Sequence, residues 1–328
     1  MSKLKFLSLL LGVLLFLAVL YFSNIEKVIE TLKHSSIIFL TLALFSGIIL
    51  ILLKGFRWKV FLTFINVHTS FYLALSSFNA AMFLGNLTPG RLLEPIRGYL
   101  LKLKTKCSFS ETTSLVIIER IVDILVYILF SLVAIQMVRS QLPGGVARFS
   151  LISLFAAFFI AVVGLLILNS KKLTLKFFML VSKLPFIKRF KNRASGFAKK
   201  FSSAFHKIKS IKKLTITLFL TSITWISEGS ILYFALLSVG VHLPILVCTG
   251  LACLSVLIGL LSFLPGGLGS TEVVLITLLS SLNISLPQTT AAVIVYRFVS
   301  YLMQNLVGLF FLTQTYGLET LSKFLSKK

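Results

Sequence analysis

Ionisable residues interrupt several stretches of this chain that are otherwise apolar. Four are arginines and five are acids: Arg91, Arg97, Arg120, Arg297, Glu94, Glu119, Asp123, Glu228 and Glu272. Placing one charged group in the hydrocarbon of a bilayer costs at least about 2.5–3.5 kcal/mol. The near balance of the two signs therefore indicates that these groups pair with one another or face water. Because guanidinium groups bind phosphate through paired hydrogen bonds, the chemistry that the set favours is binding of a phosphate-bearing anion.

Proline and glycine break two of the apolar stretches, and charged residues stand at both breaks. The first break reads GNLTPGRLLEP (85–95) and carries Arg91 and Glu94. The second reads FLPGGLGSTE (263–272) and ends at Glu272. A break of this kind places the N-terminus of a half-helix inside the membrane, where its free N–H groups favour an anion.

The second break also contains glycines that let a ligand approach the backbone closely, namely Gly266, Gly267 and Gly269. Helix capping is a plainer alternative for both acids. Ser270 or Thr271 at an N-cap, with Glu272 in the first turn, is ordinary helix chemistry. Glu94 before Pro95 is likewise typical of a helix start with proline at the first position.

One long apolar segment carries three of the candidates. Glu119 and Asp123 are one helical turn apart and share a face, and Arg120 lies three residues before Asp123. The alternative to a functional role is a structural ion pair between Arg120 and Asp123.

Two further segments carry the remaining candidates. Arg297, Tyr301 and Gln304 share one helical face, and Glu228 lies beside Trp225 on another segment. No acid lies near Arg297 in the sequence, so its partner must come from elsewhere in the fold or from a ligand. Arg97 is expected to reach the membrane interface with its long side chain.

The elements that position these residues are membrane helices. Of the 328 residues 57% are hydrophobic, and the mean hydropathy is +1.00, which predicts an all-α, polytopic membrane protein with one integral membrane domain over 1–328. We expect about six full spans, at 5–22, 36–53, 112–137, 149–169, 214–239 and 289–314. The broken regions 72–103 and 245–283 have halves that are mostly too short to cross. Each region is therefore predicted to be a re-entrant helical hairpin.

The distribution of the net charge of +24 sets the expected topology. Fourteen cations and no acid fall in 171–213, and the KGFRWK stretch (54–59) counts as a second internal loop. Only four cations fall on the other side, namely Lys27, Lys33, Arg139 and Arg148. The positive-inside rule then predicts a cell-membrane protein with cytoplasmic N- and C-termini, and it explains the charge without nucleic-acid binding.

The basic segment 170–213 is expected to form a cytoplasmic loop with an amphipathic surface helix on the anionic leaflet. Its apolar face comprises Phe197, Phe201, Phe205 and Ile208. A plain loop that only fixes topology is the alternative. The oligomeric state is left open.

The same topology relates 36–137 to 214–314 as two units of opposite orientation. Each unit has a span, a broken hairpin and a second span. Inverted repeats with broken helices that meet at mid-membrane are typical of secondary transporters.

Motifs for other chemistry are missing from the sequence. There is no HExxH motif and no Ser-His-Asp candidate, and the three cysteines have no metal-ligand or disulfide spacing. We therefore expect no catalytic residue, no metal, no cofactor and no enzyme activity.

Four motifs together resemble a known family. NLTPGRLLEP, IIERIVD, FLPGGLGSTE and VYRFVSYLMQNLVG are similar to motifs of the lysylphosphatidylglycerol synthase transmembrane family, also called flippase-like, over roughly residues 10–315. The resemblance implies the translocating region without the soluble synthase domain. It picks out Pro89, Gly90, Glu94, Glu119, Arg120, Asp123, Pro265, Gly266, Gly267, Gly269, Glu272 and Arg297. The first break has one glycine where the second has a cluster, so close backbone approach there is less well supported.

The resulting functional hypothesis is translocation of a polar, anionic lipid between leaflets. The candidates are a phospholipid, an aminoacylated lipid and a polyprenyl-phosphate carrier. Three alternatives stay open: a membrane-embedded enzyme acting on a lipid-linked substrate, a non-transporting partner of a lipid-modifying or glycosyl-transferring enzyme, and a transporter of a small polar solute.

Overall fold

The computed structural model describes residues 23–181 and 210–317, together with residues 14, 21, 196, 201 and 203. The described part of the chain is built from helices, as the composition predicts. They are α1 Ile25–Lys33, α2 Ile37–Thr63, α3 Phe71–Asn86, α4 Ile96–Lys104, α5 Phe109–Met137, α6 Gly144–Asn169, α7 Lys171–Val181, α8 Ile211–Ser238, α9 Ile245–Leu261, α10 Ser270–Ser280 and α11 Leu286–Tyr316. Two π-helical segments, Phe298–Met303 and Leu312–Tyr316, lie within α11.

Four of the described helices are long and apolar enough to cross a membrane, namely α2, α6, α8 and α11. The helix α5 is also long, at 29 residues, but it carries several charged side chains. Several membrane-capable helices are thus confirmed. The expected first span, 5–22, lies outside the described residues apart from two positions.

The helix α6 displays the kind of surface that lipid requires. Its side chains are apolar on all sides, and Ile152, Phe155 and Phe159 are each more than half exposed. A helix that is apolar all round is suited to a membrane rather than to water.

The expected end of the second span at residue 53 is wrong. The helix α2 continues through KGFRWK to Thr63, and Lys54 and Arg57 are buried rather than placed in a loop. Hydropathy alone ends the span at the first cation. In the fold these cations meet carboxylates from other helices, so the helix continues without exposing them to lipid.

Both proline–glycine breaks are confirmed as helix interruptions, and they contact each other. Pro89 and Pro265 form an isolated antiparallel backbone bridge. A Cβ added at Gly90 would lie 3.2 Å from the ring of Phe263. The two breaks therefore meet at one place inside the helical assembly.

Left-handed backbone conformations concentrate at these breaks. Apart from three asparagines, the non-glycine residues with positive φ in the described part are Arg91 (56°) and Phe263 (55°). Such conformations cost roughly 1–3 kcal/mol for residues with a branched or long side chain, and they cluster at functional sites.

Helix packing follows a paired scheme. The helices α2 and α8 pack against each other, α9 packs against α5, and α3 packs against the segment Gln304–Phe311 of α11. Glycines permit the close approaches. Gly55, the nineteenth residue of α2, lies against Leu75, the fifth residue of α3. Gly229, the nineteenth residue of α8, lies against Thr249, the fifth residue of α9.

We expect Gly229→Ala to destabilise the protein by about 1–3 kcal/mol, because overpacking a filled core costs this much. The added Cβ would lie 2.5 Å from the Cα of Thr249, so backbone would have to move. All three cysteines are buried, and a thiol-reactive fluorophore will therefore report thermal unfolding. The expected fall in Tm is about 1.5–4 °C.

Gly145→Ala is the matched control, since a Cβ at Gly145 meets nothing within 4 Å. It should leave Tm unchanged or raise it slightly, because alanine favours helix. Equal Tm values for the two variants would show that the α8–α9 contact is not tightly packed.

Candidate functional site

Eleven ionisable side chains from seven segments converge in the interior, and we call them the charge cluster. The cations are Lys54, Arg57, Arg91, Arg97, Arg120 and Arg297, and the acids are Glu94, Glu119, Asp123, Glu228 and Glu272. Every acid is at most 4% exposed. Buried charges at this density require pairing, because an unpaired buried ion is strongly destabilising.

The most deeply buried part of the cluster is centred on Glu119 and Asp123 of α5. One oxygen of Glu119 accepts from Arg57 and the other accepts from Arg97. Arg57 Nη1 also donates to Asp123 at 2.8 Å, and Trp225 Nε1 donates to the same oxygen at 3.0 Å. The expectation that Glu119 and Asp123 share a face is thus met by a common partner, Arg57.

Aromatic rings complete the environment of Arg97. Its guanidinium lies 4.2 Å from the ring centre of Trp58 and 5.1 Å from that of Phe78. The side chain is 1% exposed, so the expectation that Arg97 reaches the interface is wrong. A guanidinium is more weakly hydrated than an ammonium and stacks on aromatic faces, which suits it to this buried position.

A second part of the cluster joins α2 to α8. Lys54 Nζ donates to Glu228 Oε2 and to Gln304 Oε1, both at 3.2 Å. The hydroxyl of Tyr296 donates to the other oxygen of Glu228 at 3.1 Å. Lys54 is the eighteenth residue of α2 and Glu228 is the eighteenth residue of α8.

Each break supplies an acid that binds an arginine on the following long helix. Glu94 binds Arg120, and Glu272 Oε1 accepts from Arg297 Nε at 2.6 Å. Arg120 also lies 3.5 Å from Asp123, so the structural pair considered from the sequence is present as a longer contact. Of the two sources expected for the partner of Arg297, the rest of the fold or a ligand, the structure shows one in the fold, Glu272.

Arg91 is the exception in the cluster. Among the residues that the structure describes, no carboxylate lies within ion-pair distance of Arg91, and its buried Nε has no hydrogen-bond partner. The side chain is half-buried at the meeting point of the breaks. Six cations therefore face five carboxylates, and the surplus positive charge lies on Arg91.

Other buried donors in and around the charge cluster are also unsatisfied. Arg297 Nη2, Gln304 Nε2 and Tyr127 Oη have no hydrogen-bond partner in the described structure. Buried donors are normally satisfied, so such a group indicates a place for water or a ligand. The arrangement can hold a small anionic group with several acceptor oxygens, such as a phosphate.

Comparison with known proteins places this architecture in a family. Residues 6–308 match the family described as lysylphosphatidylglycerol synthase TM region. The chain belongs to that family. The motifs that suggested the resemblance lie at the two breaks and on the helices that contribute the charge cluster.

Three relatives illustrate the family. A UPF0104 membrane protein of Pyrococcus horikoshii is 26% identical over 323 residues, which is 93% of this chain and 95% of that protein. A UPF0104 membrane protein of Methanocaldococcus jannaschii is 32% identical over 233 residues, 69% of this chain and 92% of that protein. A phosphatidylglycerol lysyltransferase of Staphylococcus epidermidis is 33% identical over 103 residues, 31% of this chain and 12% of that protein.

The glycines of the family motif serve the turn and its packing. Gly266, Gly267 and Gly269 all have positive φ, and a Cβ at Gly266 would lie 2.6 Å from the hydroxyl of Tyr301. Several amides that were expected to face an anion already donate to nearby carbonyls, namely those of Gly267, Leu268, Thr271 and Val273. The side chains of the cluster, and not these amides, therefore offer the free donors.

The capping interpretations also need correction. The N-cap of α10 is Gly269 rather than Ser270 or Thr271, and no side chain caps it. Pro95 occupies the N-cap of α4 instead of its first helical position. Neither Glu94 nor Glu272 is therefore explained by capping alone, because each binds an arginine.

Two members of the cluster, Lys54 and Arg57, were not predicted as site residues, and Arg97 was noted as a charge within an apolar stretch but assigned to the interface. A signal for the first two was present, because Lys54 and Arg57 lie one turn apart with apolar Phe61 and Leu62 continuing the helix. For Arg97 the sequence gives the charge but does not distinguish a buried position from an interfacial one. The described residues contain no group of three or more His, Cys, Asp or Glu side chains that could hold a metal ion.

Proposed function

We propose that this protein moves a polar lipid with an anionic, phosphate-bearing head group between the leaflets of the cell membrane. The observation that carries the proposal is the unpaired Arg91 at the meeting point of the two breaks, inside a cluster with one more cation than carboxylates. A phosphate group would neutralise this surplus. A phospholipid, an aminoacylated lipid and a polyprenyl-phosphate carrier all present such a group.

The relatives support a lipid as the cargo rather than a free anion. The phosphatidylglycerol lysyltransferases that share part of this chain are named for acting on a phospholipid. The exposed surface of α6 is apolar, so acyl chains can stay in the bilayer while the head group enters the cluster. A transporter of small polar solutes would not need a charge cluster combined with an apolar surface for acyl chains.

For the architecture we propose about six spans, two re-entrant hairpins and an inverted repeat of 36–137 and 214–314. Support comes from the Pro89–Pro265 bridge, from the matched positions of Gly55 and Gly229, and from the pairing of α2 with α8. The proposed orientation keeps both termini cytoplasmic, following the distribution of cations.

We further propose that 170–213 lies on the anionic cytoplasmic leaflet. The helix α7 covers the first part of this segment, and most of the remainder lies outside the described residues. Phe201 is buried beside Ile121 of α5, so at least one aromatic of the expected apolar face packs on protein. We assign no catalytic residue and no cofactor to the protein.

Liposomes test the proposed function. Purified protein is reconstituted with head-group-labelled anionic and zwitterionic lipids, and leaflet exchange is followed for wild type, Arg91→Gln, Glu272→Gln and Arg297→Gln. We expect exchange of anionic lipid by wild type and a loss of at least tenfold in each variant. Glu30→Gln on the exposed surface of α1 is the control and should exchange like wild type.

Folded wild-type protein that exchanges none of these lipids would overturn the proposal. It would instead favour a non-transporting partner of a lipid-modifying enzyme. Exchange that is insensitive to all three cluster variants would place the transport path elsewhere.

A further inference from the structure

The two ion pairs at the breaks occupy equivalent places in the chain. Glu94 and Arg120 are separated by 26 residues, and Glu272 and Arg297 are separated by 25. Arg120 is the twelfth residue of α5, and Arg297 is the twelfth residue of α11. Each pair therefore joins a break to the same level of the next long helix.

Other equivalent positions contact each other, as expected where a twofold axis passes between them. Lys54 and Glu228 hold the same position in α2 and α8 and bind one another. The prolines of the two breaks form the backbone bridge. An axis through these two contacts would exchange the Glu94–Arg120 pair with the Glu272–Arg297 pair. Because the proposed repeats have opposite orientations, the same operation exchanges the two faces of the membrane.

The contact between Glu272 and Arg297 is suited to opening. Arg297 uses only Nε toward Glu272, leaving Arg297 Nη2 and Glu272 Oε2 without partners. The π-helical segment Phe298–Met303 begins directly after Arg297, and such segments are frequent where a helix serves a function. Arg57, by contrast, donates hydrogen bonds to two carboxylates and is 2% exposed.

We propose that the charge cluster contains two equivalent half-sites for one phosphate group, Arg120 with Arg91 and Arg297 with Arg91, which are reached from opposite faces of the membrane. Glu94 and Glu272 bind the arginine of the empty half-site and close it. The phosphate displaces one carboxylate on entry, and the head group passes from one half-site to the other by way of Arg91. The identity of the ligand rests on the proposed function. The access of the two half-sites from opposite faces does not depend on it.

The labelling rate of a native cysteine measures access to the charge cluster from each face of the membrane. Cys253 is fully buried on α9, which packs against α5 and α8, the helices that carry Asp123 and Glu228. In a Cys107→Ser, Cys248→Ser background it is the single thiol of the chain. A membrane-impermeant methanethiosulfonate is applied to one face at a time of oriented vesicles, and the labelling rate is measured.

We expect slow labelling in this background from both faces. Glu94→Gln should accelerate labelling about tenfold from one face only, and Glu272→Gln should do so from the other face only. Acceleration from the same face in both variants, or in neither, would overturn the proposal. Glu30→Gln serves as the control and should change nothing.

A charge-reversal variant distinguishes opening of the half-site from misfolding of the protein. Glu94→Arg combined with Arg120→Glu re-forms the ion pair and should return labelling to the slow rate. Fast labelling by this folded double variant would show that the pair does not close the path.

The half-site itself is tested with dihexanoyl phosphatidylglycerol, added to the face that Glu94→Gln has opened. It should slow labelling of Glu94→Gln at least threefold, and it should not protect the Glu94→Gln, Arg120→Gln double variant. Equal protection of the two would overturn the assignment of Arg120. Because labelling requires no lipid movement, its outcome is separate from that of the exchange assay.

Discussion

Replacing Arg91 with glutamine should lower the exchange of anionic lipid by about a hundredfold while the protein stays as stable as wild type. A hydrogen bond to a charged group contributes roughly 1.5–3 kcal/mol, and about 2.7 kcal/mol corresponds to a hundredfold change in rate. Stability should be unaffected because Arg91 has no carboxylate partner among the described residues. The two measurements are liposome exchange and the Tm from thiol-reactive fluorophore unfolding.

The substitution Arg91→Gly is a stricter test of the role of the Arg91 side chain. Arg91 has a φ of 56°, a conformation that glycine adopts without penalty. The glycine variant should therefore gain up to about 1 kcal/mol in stability while losing exchange as fully as the glutamine variant. A side chain retained at the expense of backbone strain is best explained by function.

Arg139→Gln is the matched control, since it removes the same charge from an exposed arginine. It should exchange at the wild-type rate. Two results would contradict the role of Arg91: exchange within about twofold of wild type in Arg91→Gln, or a fall in Tm that accounts for the lost exchange.

Much of the helical framework could be predicted because its signals are local. Apolar length and the Pro-Gly breaks are read from neighbouring residues, and they placed α6, α8 and α11 within a few residues of their bounds. One-turn spacing likewise placed Glu119 and Asp123 on one face, and Arg57 binds both.

The pairing itself could not be predicted, because the partners are distant in sequence. Lys54 lies 174 residues from Glu228, and Arg57 lies 62 residues from Glu119. A hydropathy window treats such cations as the end of a span, since it cannot include carboxylates that other helices supply. Nor could sequence distinguish Glu272 as an ion-pair partner from Glu272 as a capping acid, because both interpretations need the same residue after the same break.

Glu119→Gln should cause the largest loss of stability of any single substitution in the charge cluster. Glu119 is fully buried and accepts from both Arg57 and Arg97. Removing one partner of a buried ion pair costs about 3–5 kcal/mol, because the remaining charge is left uncompensated. We expect a fall in Tm of about 4–7 °C by the fluorophore assay.

Glu26→Gln provides the comparison. Glu26 is exposed in the first turn of α1, where a carboxylate contributes up to about 1 kcal/mol through the helix dipole. A Tm for Glu119→Gln within a degree of that for Glu26→Gln would show that the network contributes little to stability.

Combining Arg57→Met, Arg97→Met, Glu119→Leu and Asp123→Asn then separates the role of these charges in stability from their role in transport. Asp123 is included because it also accepts from Arg57 and would otherwise lose its closest cation. Replacing a whole buried ionic network with neutral side chains of similar volume is often neutral or stabilising, so the quadruple variant should recover most of the Tm lost in Glu119→Gln. If these four residues only support the fold, a stable quadruple variant will also exchange lipid, since Arg91, Arg120 and Arg297 remain. If it is stable but inactive, the deeper network sets the positions of the arginines that bind the head group. In that case the buried charges are kept for geometry rather than for stability.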